Sequence, residues 1–99
     1  MRKIKRLVEQ INDELDSSKE YMEEALMFKA KGEATWYARY KSMAEQELQH
    51  SSILHERAVQ VIEELRKVYT PPEEMLEKWE HEHREYIEKT AWLKQMLAM

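Results

Sequence analysis

One glycine and one pair of adjacent prolines are the only residues in this chain that commonly interrupt a helix. Gly32 stands near the end of the first third of the sequence, and Pro71–Pro72 stand near the end of the second third. Over each of the three segments that they separate, apolar residues recur at spacings of three and four, which is the pattern of one face of an α-helix. The sequence therefore predicts an all-α chain with helices at about residues 2–31, 34–69 and 72–97.

Capping signals support these boundaries. Gly32 is expected to terminate the first helix, because glycine readily takes the left-handed conformation that follows a helix end. At the third helix, Thr70 suits the N-cap, Pro71 the first helical position and Glu73 the third position of a capping box. The short connection at Gly32 forces the first two helices into a long antiparallel hairpin. We expect residues 1–99 to form one helical domain without a linker.

Composition narrows the classes of partner. The formal net charge is −4, and the one basic cluster, RKIKR at residues 2–6, is interrupted by Ile4 as a helix face would be. We therefore expect no nucleic-acid partner. With no cysteine, the chain can form neither a disulfide nor a cysteine-ligated metal site. No apolar run reaches the length of a membrane span and no leader opens the sequence, which predicts a cytoplasmic protein without a membrane partner.

The length of the chain favours self-association. A domain of 99 residues has a thin core when it folds alone, so it gains from packing against a second copy. We expect a homodimer or a higher even-numbered homo-oligomer.

Three ionisable residues interrupt the apolar stripes. Continued at steps of three and four, the stripe of the first helix includes Glu14, and that of the second includes Glu47 and His50, so all three are expected to point inward. The midpoint of positions 14 and 47, and that of positions 14 and 50, both fall at the turn near Gly32, which places the three side chains at one height. Glu20 fits less well in both height and facing. Because an unpaired buried carboxylate is costly, a cation is the expected partner.

The residue types favour a transition metal. Two carboxylates and an imidazole form a mixed oxygen and nitrogen ligand set that suits iron, manganese or zinc better than copper(I) or calcium. Four-helix di-metal carboxylate proteins use a Glu from each of two helices and a Glu-x-x-His from each of the other two. This hairpin carries one of each, so two copies related by a two-fold axis are expected to complete the site.

The hairpin also resembles a known superfamily. Glu14, Tyr21 and Ala25, the glycine turn KAKGE, and AEQELQH with its Glu-x-x-His are similar to the helical hairpin of ferritin-like di-iron proteins, in their rubrerythrin-like and encapsulated-ferritin-like forms. This resemblance implies a ferritin-like four-helix bundle completed by dimerisation.

The same resemblance implies roles for the site residues. Glu14 is expected to be a terminal ligand, Glu47 a bridging ligand and His50 a terminal nitrogen ligand of a di-iron site, in which manganese or zinc can substitute. These ligands would also be the catalytic residues of a ferroxidase that oxidises Fe(II) with oxygen or peroxide, in iron storage or detoxification. The C-terminal segment TAWLKQMLAM looks like the end of a helix, so docking into a shell protein is not expected.

Other interpretations of the three polar residues remain open. Glu47 and His50 can form a hydrogen-bonded pair, or lie on a helix that is rotated so that both touch water. The chain would then be a metal-free helical-hairpin interaction module, in which Glu14, Glu47 and His50 form a buried polar network that fixes the register of the helices.

The segment WEHEHRE at residues 79–85 repeats the Glu-x-x-His spacing with Glu80 and His83. If the third helix folds back along the second, His83 lies roughly 15 Å from the level of the main site. A solvated charged face is the expected role of this segment. A secondary metal site at Glu80 and His83, on the surface or between subunits, is the alternative.

Overall fold

Three α-helices make up the computed structural model, which describes residues 2–68, 70 and 72–98. Helix α1 spans Arg2–Ala30, α2 spans Ala34–Val68 and α3 spans Glu73–Leu97. The described residues contain no β-strand, which confirms the all-α class. The predicted bounds differ by one residue at the end of α1 and at the start of α3. The predicted end of the second helix, Tyr69, lies outside the described residues.

The turn between α1 and α2 is built around Gly32. Within the described backbone, Gly32 has a positive φ, of 75°. A residue with a side chain would be strained in this conformation. The amide of Gly32 donates to the Lys29 carbonyl at 3.1 Å, and the amide of Glu33 donates to the Phe28 carbonyl at 2.9 Å. These two bonds form a Schellman motif, which satisfies carbonyls at the end of α1. The predicted role of Gly32 is confirmed.

The predicted capping box at the start of α3 is wrong. The N-cap is Pro72, with φ −57° and ψ 143°, and no side chain caps the helix. The Pro72 carbonyl accepts hydrogen bonds from the amides of Met75 and Leu76. Pro72 therefore has an extended conformation and flanks the helix, which begins at Glu73. Pro71 itself lies outside the described residues.

Helices α1 and α2 pack as an antiparallel hairpin, and α3 folds back along one side of it. On α2, His55 contacts Tyr86 of α3, whereas the buried cluster around Ala44 is packed against Met96 and Leu97. Helix α3 therefore runs antiparallel to α2. The apolar core shared by the three helices consists of Ile4, Leu7, Ile11, Leu15, Ala58, Val61, Ile62 and Leu93.

The buried face of α2 differs by one residue from the predicted stripe near the site. Ala44 and Ser51 are fully buried, whereas Met43 is 37% exposed and His50 is exposed. Near the site this buried face packs against α1, where Ala44 clusters with Met22 and Ala25, and α3 covers one side of the hairpin. The small side chains of Ala44 and Ser51 also let α1 and α2 approach closely.

The same correction applies to α1. Leu15 and Met22 are buried, and Glu14 and Tyr21, which the stripe placed inward, are only partly buried beside them. The expectation that Glu14, Glu47 and His50 point into the core of a single chain is therefore wrong. They flank that core.

The molecule is elongated, with principal extents of 56 × 18 × 17 Å and a radius of gyration of 16.2 Å. A compact domain of this length has a radius of gyration of about 13 Å. A rod of this shape leaves much of each helix accessible for contact with a partner. Across the described residues, none of the helices combines the length and the apolar character that a membrane span needs.

Ser18 is expected to set the register of the hairpin. Its Oγ donates to the Ala44 carbonyl of the facing helix at 2.7 Å in a fully buried contact, whereas Ser51 Oγ donates to Leu48 within its own helix at 2.6 Å. Ser18→Ala should destabilise the fold by about 1 kcal/mol more than the matched Ser51→Ala, because only the former loses an interhelical hydrogen bond. Urea denaturation of both variants measures the difference, and equal stabilities would contradict this role.

Candidate metal centre

Helices α1 and α2 bring Glu14, Glu47 and His50 together. His50 Nδ1 lies 3.7 Å from Glu14 Oε2 and 3.8 Å from Glu47 Oε1. One ligand atom from each of the three residues lies within 4.8 Å of the other two. Among the described residues, Glu14, Glu47 and His50 are the acidic and histidine side chains that lie close enough together to hold a metal ion. The predicted set therefore converges, with Glu14 from α1 and with Glu47 and His50 from α2.

The three side chains lie on the side of the hairpin that α3 leaves uncovered. On α1, Asp16 borders the groove next to α3, and Glu14 lies on the other side of the buried Leu15. On α2, His50 lies about 140° around the helix from His55, which contacts α3, since each residue turns the helix by about 100°. The exposed fractions of the side chains are 30% for Glu14, 24% for Glu47 and 55% for His50.

Apolar and aromatic side chains continue this surface on both sides of the cluster. We call the surface the open face, and define it by Glu14 and Tyr21 of α1 and by Tyr40, Met43, Glu47, His50 and Leu54 of α2. Tyr21 and Tyr40 meet across the hairpin with ring centroids 6.3 Å apart. Each tyrosine is seven residues from a glutamate of the cluster, so the pair lies about two helical turns nearer the Gly32 turn. The charged cluster thus stands within a partly apolar surface.

The distances fit the donor set of a single metal ion. At metal–ligand bond lengths of about 2.1 Å, two donors on one ion lie roughly 3.0 to 4.2 Å apart. The two separations from His50 Nδ1, 3.7 and 3.8 Å, fall within this range. The third separation does not exceed 4.8 Å. Nδ1 is the nitrogen of His50 that faces both carboxylates.

The two glutamates of the cluster have no lysine or arginine as an ion-pair partner among the described residues. Their ion pairs are with His50. The distances to His50 exceed those of hydrogen bonds. Two carboxylates that face one imidazole, with no lysine or arginine paired to them, form a site to which a cation can bind.

Glu20 does not join the cluster. It is exposed, and it lines a shallow groove with Tyr21, Glu24 and Tyr40 nearer the turn. The preference for Glu14 over Glu20 agrees with this placement.

Glu80 and His83 lie on α3, on the other side of the hairpin. His83 is half-buried and its Nδ1 is 3.2 Å from His55 Nε2, so this segment is not uniformly solvated as the sequence suggested. Glu80 is exposed beside Arg66 and His83. The secondary metal site at Glu80 and His83 stays a prediction.

The pairing of His55 with His83 was not predicted from the sequence. The available signal was the spacing of Trp79, His83 and Tyr86, which places an imidazole between two aromatic residues on one face of α3. The histidine that faces them on α2 can be found only once the packing of α3 is known.

No protein family matches this sequence, and comparisons with curated proteins and with solved structures found no significant match.

Proposed function

We propose that this protein is a ferritin-like di-iron protein that oxidises Fe(II) with oxygen or peroxide, in iron storage or detoxification. The observation that supports the proposal is the convergence of Glu14, Glu47 and His50 at distances that suit one metal ion. Iron is the proposed metal, and manganese and zinc are substitutes that the same oxygen and nitrogen donors accept.

A second copy of the chain is the proposed partner on the open face. One hairpin supplies two carboxylates and one imidazole, which is half of the ligand set of a four-helix di-metal site. A two-fold axis through the open face would place a second Glu14, Glu47 and His50 against the first. It would also cover exposed apolar side chains, among them Met43. Helix α3 lies on the opposite side and leaves this approach free.

The roles of the residues follow from their chemistry. The carboxylates of Glu14 and Glu47 would bind the substrate Fe(II) and favour Fe(III), because anionic oxygens attract the more highly charged ion more strongly. His50 would bind through Nδ1 and orient the ion on the hairpin. Bound iron supplies the electron that oxygen or peroxide accepts. The partly apolar open face, once covered, would exclude bulk water from the centre.

The metal-free alternative has less support. A polar network that fixes register needs hydrogen bonds among its members, and the separations of 3.7 and 3.8 Å from His50 are too long for them. The register of the hairpin already has another determinant in the buried contact of Ser18 with Ala44.

Self-association and metal binding should be linked. We expect light scattering to show a dimer or an even-numbered multiple, and we expect Fe(II) added without oxygen to raise the thermal midpoint of the protein. A metal that binds only the folded state stabilises it by about 2.7 kcal/mol when its free concentration is one hundred times the Kd. Metal content per chain, measured on the same sample, gives the stoichiometry.

Calcium is the matched control for this experiment, because it requires more oxygen ligands than the cluster offers. It should produce little stabilisation. A folded monomer that binds two metal ions would exclude the shared site, and a midpoint that Fe(II), manganese and zinc all leave unchanged would exclude the metal-binding function.

A further inference from the structure

A groove lies between the N-terminal part of α1 and the first half of α3. Its volume is about 520 Å³, within the range of roughly 300 to 1,000 Å³ that is common for sites of small organic ligands. The residues that line it include none of the open face. We call it the α1–α3 groove and define it by the apolar residues of its floor, which are Ile4, Val8, Met75 and Trp79.

The core of the protein supports this floor. Ile4 is buried within the core that the three helices share, and Val8 and Trp79 pack against that core. The ring of Trp79 also lies against His55 of α2, with ring centroids 5.9 Å apart. These contacts form the floor before any ligand arrives, and a site formed in advance costs less free energy to order on binding.

The groove is elongated. Helices α1 and α3 run in the same direction, because each is antiparallel to α2. Along α1 the lining extends from Arg2 to Asn12, which is about 15 Å at 1.5 Å per residue. At the far end, Asn12 Nδ2 donates a hydrogen bond to Glu82 Oε2 of α3 at 3.4 Å and links the two helices. An extended chain fits this shape better than a compact group does.

Charged residues are arranged by sign along the groove. Arg2 and Lys5 line the end at which both helices begin, and Lys78 lines the groove from α3 about a turn further along. Glu9 and Glu82 line the other half. Among the described residues, none of the three cationic side chains forms an ion pair. One end of the groove therefore offers unpaired positive charge, and the other end repels anions.

We propose that the α1–α3 groove binds a single-tailed anionic amphiphile of the fatty-acid type, with its carboxylate at Arg2 and Lys5 and its alkyl tail along the floor. Guanidinium and ammonium groups donate charge-assisted hydrogen bonds to a carboxylate. The tail and the apolar floor remove each other's surface from water. The acidic half of the groove selects against a ligand with a second carboxylate. This binding site is separate from the proposed metal function and does not depend on it.

Calorimetric titration of the whole, chelator-treated protein with decanoate, below the concentration at which it forms micelles, tests the proposal. We expect one decanoate per chain. Decanol lacks the charge, and decanedioate carries a second carboxylate to the half of the groove that Glu9 and Glu82 line, so both should bind more weakly than decanoate. Only the affinity for decanoate should fall as salt is added, because salt screens its contacts with exposed cations.

A charge variant locates the carboxylate. Arg2→Gln, Lys5→Gln should weaken decanoate binding about fivefold, since each contact between exposed charges contributes modestly, and should leave decanol binding unchanged. Lys3→Gln, Arg6→Gln is the matched control, because it removes the same charge from the same helical turns at exposed positions outside the groove. It should bind decanoate as the wild type does. Equal affinities of the two double variants would overturn the proposal.

NMR of the wild-type protein gives a measurement that needs no variant. Decanoate should shift the indole N–H signal of Trp79 saturably and leave those of Trp36 and Trp92, which are exposed and lie outside the groove, nearly unchanged. Equal shifts at all three tryptophans would indicate adsorption over the surface and would overturn the site.

The same signal distinguishes other occupants. If a second copy of the chain covers the groove, the Trp79 signal changes with protein concentration in the absence of ligand. If the groove contacts a membrane, vesicles of phosphatidylglycerol broaden that signal while free decanoate leaves it unchanged. Either result would overturn the proposal.

Discussion

Replacing either Glu47 or His50 with alanine is expected to reduce bound iron to a small fraction of the wild-type amount while leaving helix content intact. Both side chains are at least partly exposed, so their removal creates no buried cavity. Each replacement removes a donor from a set of three, and under the proposed two-fold symmetry it removes two donors from the complete site. Iron per chain after anaerobic loading, with circular dichroism on the same samples, measures both effects.

Glu20→Ala is the matched control for this experiment. Glu20 has the same side chain as the predicted ligands and lies near them on α1, but it is exposed and lies outside the cluster. The Glu20→Ala variant should bind as much iron as the wild type. Loss of binding in Glu20→Ala together with normal binding in Glu14→Ala would show that the register assigned to α1 at the site is wrong.

Much of the backbone could be predicted from a few residues. Gly32 ended α1 as expected because its positive φ meets a requirement that most other residues cannot satisfy cheaply. Once that turn is fixed, the heights of Glu14, Glu47 and His50 follow from counting along two antiparallel helices. The contact of His50 with both glutamates agrees with this count.

The rotation of each helix about its own axis was predicted less accurately than the course of the backbone. The apolar stripe of α2 offers Met43 and Ala44 as neighbouring choices for the core, and hydrophobicity favours the methionine. The structure buries Ala44 and exposes Met43 to 37%, because close packing of α1 with α2 needs a small residue and because α3 covers one side. Both effects depend on contacts between helices that the periodicity of one helix does not contain.

The start of α3 and the His55–His83 contact were missed for related reasons. The capping signals around Thr70 did not anticipate that Pro72 would take an extended conformation and be the N-cap. The two histidines are 28 residues apart in sequence, and their contact depends on how far α3 folds back along α2. Local sequence patterns describe single helices, whereas this contact lies in the packing interface between α2 and α3.

The remaining prediction concerns the charge of the two proposed carboxylate ligands. In a single chain, Glu14 and Glu47 keep 30% and 24% of their side-chain surface exposed, so their repulsion is moderated by water. Association through the open face would remove that water and bring four carboxylates together, which costs free energy in the absence of metal. A Glu14→Gln, Glu47→Gln double variant should therefore form a more stable metal-free dimer than the wild type, by about 1 to 3 kcal/mol, and should lose Fe(II) oxidation.

Sedimentation equilibrium in the presence of chelator measures dimer stability, denaturation midpoints measure fold stability, and ferric absorbance after oxygen is admitted measures oxidation. A Glu20→Gln, Glu45→Gln variant is the matched control, because it removes the same charge, one carboxylate from each helix, at exposed positions outside the cluster. Its dimer should resemble that of the wild type. If the carboxylates instead belong to a hydrogen-bonded network, neutralising them breaks charge-assisted bonds and the double variant becomes less stable. That outcome, with no stabilisation of the wild type by metal, would favour the metal-free module. In a cation site, by contrast, the two negative charges destabilise the metal-free dimer, and bound metal removes this destabilisation.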